Sequence, residues 1–292
     1  MVQHKPFVCP VCGTSKIESE QEYVARSPMF SGKKLVKCFS CGTKSMFPPE
    51  VEESYYITDY WTKENIERRT GGQYAQALAR YMFAEEFISA RKNLNVLDVG
   101  AGLGFFAKVL NDKYTGIFSY DAVEINPAAV GYLLTHIDSG HVLSDLPGGE
   151  VKYDMILLFH ILEHIAEPAG FLAKVSDLLK PDGCLLVELP NEDWRYKKFN
   201  QPHVVYYNTK TLSMLLDRHG YAVSKVKECG SKVSGMANEL RLASGVAGFA
   251  DKLRALYYTI EKRLIPIENV YDLYGSDRQW IRLLARKKQK AL

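Results

Sequence analysis

At 292 residues the chain has room for one α/β domain plus a small module. Its 37 basic and 34 acidic residues leave a net charge of +3, so global electrostatics give no argument for nucleic acid or an anionic membrane as partner. Hydrophobic residues make up 47%, no apolar run approaches the ~20 residues of a membrane span, and Met1–Pro6 opens no apolar leader; a soluble, cytoplasmic protein with a real core is expected.

The first fifty residues are organised by cysteines. Cys9-Pro-Val-Cys12-Gly13 and Cys38-Phe-Ser-Cys41-Gly42 are two knuckles separated by an ordinary zinc-ribbon interval. Each short spacing lets two thiolates grip one ion from a single turn. Cys9, Cys12, Cys38 and Cys41 together suit a closed tetrahedral Zn²⁺ site, structural because no coordination position stays open. A pair of redox C-x-x-C sites is the rival, but neither knuckle opens a helix after a strand. Short strands are expected at 23–25 and 34–37. Lys33, Lys34 and Lys37 could touch phosphate, although a solvated face is the simpler reading. So small a module would draw its stability from the metal. Cys184 and Cys229 stand apart from this set.

Residues 51–92 are read as a linker and a helix. Phe47-Pro48-Pro49-Glu50 closes the ribbon, and the aromatic segment Ser54–Trp61 is expected to dock the linker on the main domain. Tyr74, Leu78, Tyr81, Met82, Phe87 and Ile88 then mark an apolar stripe on a helix from about 72 to 90.

Leu94-Asn95-Val96-Leu97-Asp98-Val99 is a buried strand that ends in Gly100-Ala101-Gly102-Leu103-Gly104 and opens a helix at Phe105. Glycine at 100, 102 and 104 lets a ligand lie against the backbone. The spacing differs from the dinucleotide fingerprint, and Asp98 would repel a pyrophosphate but suits a cation. A second strand, 118–124, ends on Glu124, twenty residues after Gly104, where a carboxylate can accept from both hydroxyls of a ribose. Asn126-Pro127 starts the next helix.

This order of strand, glycines, helix, strand and acid resembles the class I S-adenosylmethionine-dependent methyltransferases. The resemblance implies a doubly wound α/β fold, with a seven-stranded Rossmann-like sheet behind the N-terminal four-cysteine zinc ribbon. It assigns Asp98, Gly100, Gly102 and Gly104 to the methionine part of the cofactor and Glu124 to the ribose. In the third-strand region, His141–Leu146, it assigns Asp145 to the adenine amino group and the N–H of Leu146 to the ring. Ile125, Phe159 and His160 complete the implied cofactor surroundings. Strand four, 152–160, runs into Ile161-Leu162-Glu163-His164-Ile165. With Pro181-Asp182-Gly183 as a turn before strand five at 184–191, this resembles the ubiquinone-type O-methyltransferase subgroup. Relatives there carry Glu-x-x-Glu-His, which can hold a divalent metal; here His160 replaces the first glutamate, so that His160, Glu163 and His164 could still ligate a metal, but a histidine packed against the cofactor is the commoner role. Ribbon, aromatic linker and methyltransferase domain together resemble a bacterial group often linked to cell-surface glycan or secondary-metabolite synthesis.

Asn191–Lys198 leaves the C-terminal end of strand five, where ligands bind in doubly wound sheets. His203, within Gln201–Thr209, is the candidate general base, since a histidine's ordinary pKa of ~6.5 lies near neutrality; His160 is the second candidate. Trp194, Tyr206 and Tyr207 are expected to shape a substrate pocket. Strand six is placed at 222–229 and a final antiparallel strand at 279–286. Between them a helical insertion at about 235–275 could bury a homodimer face, cap the substrate or simply pack. The catalytic domain is thus read as 93–292. The expected reaction is methyl transfer from S-adenosylmethionine to a small or medium-sized metabolite. The alternatives are an RNA methyltransferase that uses the ribbon as reader, a non-catalytic ribbon protein on the same scaffold and, weakest, a nicotinamide dehydrogenase. Near-zero charge and the lack of an Asn-Pro-Pro-Tyr-type motif after strand four make nucleic acid an unlikely partner.

Overall fold

The computed structural model describes residues 6–60, 62, 66, 73–148, 150–195, 197–230 and 279–289. The expected insertion at about 235–275 lies outside these residues, as does Trp61.

Two sheets carry the fold. The N-terminal sheet contains β1 (Ile17–Glu22), β2 (Lys34–Cys38) and β3 (Lys44–Phe47), and β9 (Val205–Tyr206) joins it from far along the chain, in the order β1-β2-β3-β9. The seven-stranded sheet contains β4 (Asn93–Val99), β5 (Ile117–Val123), β6 (Val142–Leu143), β7 (Tyr153–Phe159), β8 (Leu179–Pro190), β10 (Tyr221–Cys229) and β11 (Trp280–Lys287). Its order is β10-β11-β8-β7-β4-β5-β6, with β11 antiparallel to both its neighbours and the β8-β7-β4-β5-β6 run parallel. This is the Rossmann-like methyltransferase sheet expected from the strand-glycine-helix pattern.

The strands follow from burial. Every residue of β7 is buried, as a central parallel strand covered on both faces requires. Helices α1 (Gln73–Ser89), α2 (Phe105–Lys113), α3 (Pro127–Leu133), α4 (Pro168–Leu178) and α5 (Thr209–Arg218) connect or cover them. α5 begins with a reciprocal cap: Asn208 Oδ1 accepts the Thr211 N–H at 2.9 Å, and Thr211 Oγ1 accepts the Asn208 N–H at 2.9 Å.

Three local expectations change. The first ribbon strand is Ile17–Glu22, not 23–25. All six of its residues are exposed, so it carries no apolar alternation to read; Glu20–Lys34 (2.6 Å) and Glu18–Lys37 (2.7 Å) pair it across to β2. Tyr23 still donates its N–H to the Lys33 carbonyl at 3.1 Å, and the pairing ends at Val24, whose N–H goes to Asn200 Oδ1. Lys33 likewise donates to the Pro48 and Glu50 carbonyls. The third strand shrinks to Val142–Leu143. Pro181-Asp182-Gly183, expected as a turn, is absorbed into β8 as a break in register between Tyr153↔Leu179 and Met155↔Cys184.

A buried ion cluster fixes the floor of the large sheet. Glu188 of β8 is fully buried between Arg80 of α1 (2.6 Å) and Arg282 of β11 (2.7 Å). Burial alone would raise its pKa, but the two guanidinium groups hold it well below the ordinary carboxylate range.

Candidate active site

The parallel register brings the ends of β4, β5 and β7 level: Val99 lies opposite Val123 on one side and Leu158 on the other. The strand order reverses between β4 and β7, where open α/β sheets leave a crevice beyond their carboxyl ends. The glycine run, Glu124 and Phe159-His160 all emerge at this edge.

Gly100, Gly102 and Gly104 have φ of +70°, +55° and +74°, a conformation that side chains rarely adopt. A Cβ at Gly100 would lie 2.2 Å from Ile161 Cδ1, and one at Gly104 would lie 2.5 Å from Leu133 Cδ1. Gly100 and Ala101 both donate to the Val123 carbonyl, which ties the loop to β5. Glu124 is fixed by main chain on both oxygens: Oε2 accepts the Gly102 N–H at 2.8 Å and Oε1 the Asn126 N–H at 2.9 Å. Burial raises its pKa, and these N–H groups oppose the shift. Asn126 caps α3 through the Ala128 and Ala129 N–H groups. Its amide also donates to the Tyr56 and Ile57 carbonyls (3.0 and 2.8 Å), pinning the π-helical turn Tyr55–Tyr60 beside the cleft.

Asp98 is buried beneath the loop, 2% exposed. Tyr120 donates to its Oδ2 at 2.5 Å, while Oδ1 has no hydrogen-bond partner among the described residues. Burial pushes the carboxyl up to about 7, against the pull of Tyr120 and the Arg80 charge. Glycines at positive φ, a carboxylate held by two main-chain N–H groups and a buried carboxylate oxygen with no partner among the described residues thus meet at one strand edge, donors and acceptors that could take a nucleoside ligand bearing positive charge. Ile125 and Leu146 are half-buried, and Asp145 is exposed beyond β6, accepting the Leu146 N–H at 2.7 Å. Phe159 is buried in the core under the Arg80 guanidinium, 4.1 Å from its ring centroid.

A second group assembles beside this edge from distant segments. His160 takes a left-handed φ of +58° and donates its N–H to the Glu188 carbonyl at 2.7 Å. Its ring lies between Glu163 Oε1 (3.3 Å) and Glu188 Oε1 (3.6 Å); burial opposes its protonation, but the two carboxylates win and raise its pKa. Glu163 is 1% exposed, and neither oxygen has a hydrogen bond in good geometry among the described residues. Its burial is outweighed by the neighbouring histidines, so its pKa is lowered. His164 stacks edge-on against His203 at 5.0 Å, and its Nδ1 meets the Tyr56 hydroxyl at 3.3 Å. Burial drives His164 down to about 4, against the pull of Glu163. His203 is buried, with Nδ1 3.0 Å from Asp193 Oδ2; Lys197 pairs with the same carboxylate. Glu163, His164 and His203 bring donor atoms within 4.8 Å of one another, a set that could hold a divalent ion. Against the His160, Glu163, His164 set of the sequence reading, His203 takes the place of His160, whose ring lies between the Glu163 and Glu188 carboxylates.

Asp193 is the residue that sequence reasoning missed. The stretch 191–198 was expected to face ligand, and no local spacing marks a carboxylate ten residues ahead of His203 as its partner. Tyr206 and Tyr207 correct an expectation in the other direction. Both are buried, and their hydroxyls go to the carbonyls of Asn200 (2.8 Å) and Leu162 (3.5 Å), so they pack the core instead of shaping a pocket. Trp194 lies under the Lys44 ammonium, 3.4 Å from its ring centroid.

In the N-terminal sheet, the four sulfurs of Cys9, Cys12, Cys38 and Cys41 lie within 4.8 Å of one another. Cys9–Cys41 (3.6 Å) and Cys12–Cys38 (3.5 Å) approach the ~3.8 Å edge of a tetrahedron with ~2.3 Å zinc–sulfur bonds. The hydrogen bond from Cys9 brings Cys41 down to about 4.

Residues 66–226, more than half of the chain, match a family described as a methyltransferase domain. The chain belongs to this family. Among curated proteins, a probable S-adenosylmethionine-dependent methyltransferase of Mycolicibacterium smegmatis is 28% identical over 134 residues, 44% of this chain and 52% of that protein. A ubiquinone biosynthesis O-methyltransferase of Dinoroseobacter shibae is 32% identical over 108 residues, 35% of this chain and 43% of that protein. The chain thus spans about half the length of the curated relatives it matches. Among solved structures, a SAM-dependent methyltransferase of Leishmania major superposes with a TM-score of 0.52 at 14% identity, covering 80% of each chain. The plantazolicin methyltransferase gives 0.51 at 13% identity, covering 81% of this chain and 93% of its own. These two likenesses show the fold. Among the described residues no helix is long and apolar enough to cross a membrane.

Proposed function

We propose that the protein transfers a methyl group from S-adenosylmethionine to a hydroxyl or amine of a small or medium-sized metabolite, in the manner of the ubiquinone-type and glycan-linked subgroups its motifs resemble. The observation that carries this reading is Glu124, held by the Gly102 and Asn126 N–H groups at the mouth of a loop with glycine at three positive-φ positions.

When bound, S-adenosylmethionine supplies an electrophilic methyl on a sulfonium. Glu124 would accept from the ribose hydroxyls with the lone pairs its two N–H partners leave. Asp98 would answer the positive charge of the methionine part, and Asp145 with Leu146 would meet the adenine. Ile125, Phe159 and His160 would line the cofactor's remaining surface. His203 is the proposed base: Asp193 engages Nδ1, so the acceptor's proton passes to Nε2 while the imidazolium that forms is stabilised by the carboxylate. His160, raised by two carboxylates, is better suited to carry charge than to remove a proton. Cys9, Cys12, Cys38 and Cys41 would hold a structural zinc ion. In this reading 1–50 is the ribbon, 51–92 the linker and helix, and 93–292 the catalytic domain.

Incubation with methyl-labelled S-adenosylmethionine and a panel of phenols, nucleotide sugars and amino compounds, read by mass spectrometry, tests the reading. Label on one small-molecule class, lost in His203→Gln, is expected. Label on RNA alone would refute it.

A further inference from the structure

The N-terminal sheet and the loop bearing His203 form one structure. β9 is the outer strand of that sheet, with Val205 opposite Ser45 and Tyr206 opposite Lys44. The Met46 N–H donates to the Val204 carbonyl at 2.7 Å, and the Val204 N–H donates to the Glu163 carbonyl at 2.7 Å. The buried Tyr23 hydroxyl donates to the carbonyl of His203 itself at 2.8 Å. Upstream, the Asn200 N–H donates to the Val24 carbonyl at 2.7 Å, and Gln201 Oε1 accepts the main-chain N–H groups of Arg26 and Ser27. The main chain around His203 is therefore set by the ribbon on one side and by Glu163 on the other.

A loop has no intrinsic means of holding a base within the ~0.5 Å that proton transfer demands, because ordering it costs backbone entropy. Partners on a rigid element supply the constraint. The ribbon's buried residues, including Val11, Val36 and Met46, pack beside Cys9 and Cys38 and run on into Val204, Val205 and Tyr206 of the His203 segment, while β1 is wholly exposed; an ion on the four sulfurs would brace this arrangement.

We propose that the ribbon is a built-in positioning module for His203. Tyr23 and β3 hold the main chain of residues 203–206, so that the His203 ring stays between Asp193 and the Glu163–His164 pair. Tyr23 is a positioning residue, acting through His203. The role of His203 as base rests on the function proposed above; the positioning itself does not.

The test uses the zinc-loaded full chain labelled with ¹⁵N-histidine, at about pH 8. The His203 ring signals are assigned by their loss in His203→Gln. With Nδ1 on Asp193, wild type should show a single Nδ1–H tautomer. Tyr23→Phe, and separately ejection of zinc by a mercurial thiol reagent, should each convert this to a mixture of tautomers. The affinity for S-adenosylhomocysteine should stay within about twofold. Gln201→Ala should act in the same direction without touching the sulfurs or Tyr23. A single Nδ1–H tautomer that survives both Tyr23→Phe and zinc ejection would overturn the proposal. So would a parallel collapse of S-adenosylhomocysteine affinity in Tyr23→Phe, which would mark a general loss of fold. If the tautomer responds as expected but His203→Gln methylates normally, the positioning stands and the base assignment fails.

Discussion

The glycine-loop edge and the histidine cluster lie at the same end of one sheet but are built differently. At the glycine-loop edge the deciding bonds join residues close in sequence: Gly102 to Glu124 and Tyr120 to Asp98, each 22 apart. Main-chain groups make many of them. The histidine cluster is held by side chains drawn from everywhere: Tyr56 to His164 across 108 residues, and Tyr23 to His203 across 180. Local backbone geometry holds most of the first region, whose tie to the linker is the Asn126 amide on the Tyr56 and Ile57 carbonyls, whereas the second depends on the ribbon, the linker and the segment after β8 being docked together. The two should therefore fail independently.

The largest separation is expected from His203→Gln. Loss of a general base should reduce acceptor methylation by about 10²–10⁴-fold, measured as kcat, with S-adenosylmethionine affinity unchanged. Equal loss of both would merge the two regions. Asp193→Asn should approach that loss, about 10²–10⁴-fold in kcat, because His203 remains but an amide there can donate to Nδ1 and set the tautomer that leaves Nε2 protonated; a rate equal to wild type would remove Asp193 from the site. Asp98→Asn should act on the other region, lowering cofactor affinity by about tenfold while leaving thermal stability at or above wild type.

The sign of that stability effect follows from Asp98's pKa. Its folded value of about 7 lies above the ordinary 3.8. Through that window the folded chain keeps a proton that the unfolded chain has shed, so stability falls as pH rises from about 4 to 7. A cationic ligand prefers the anion, so affinity should rise as pH climbs through about 7 in wild type and stay flat in Asp98→Asn. Titrations in buffers of different ionisation enthalpy would register the proton released on binding.

The same contrast explains what the sequence made legible. Asp98, the three glycines, Glu124 and the Asn126 cap lie in one stretch whose spacing follows from strand, turn and helix geometry, and the family they resemble implied the seven-stranded sheet. The four cysteines were equally plain, since each pair sits on one turn. Asp193, Tyr23 and Tyr56 carried no such mark, because only the docked fold brings them to His203 and His164. Tyr206 and Tyr207 looked like pocket residues by composition, yet strand pairing of β9 turned them into core. The polar β1 escaped notice because cross-strand ion pairs, not apolar alternation, define it.

The central claim is that this edge binds S-adenosylmethionine through Glu124. Calorimetric titration of the cofactor into wild type, Glu124→Ala and His203→Gln tests it most directly. One equivalent should bind wild type and His203→Gln alike, and Glu124→Ala should weaken binding about 100-fold, or ~2.7 kcal/mol, as loss of charge-assisted hydrogen bonds predicts. No binding to wild type, or equal affinity in Glu124→Ala, would contradict the account.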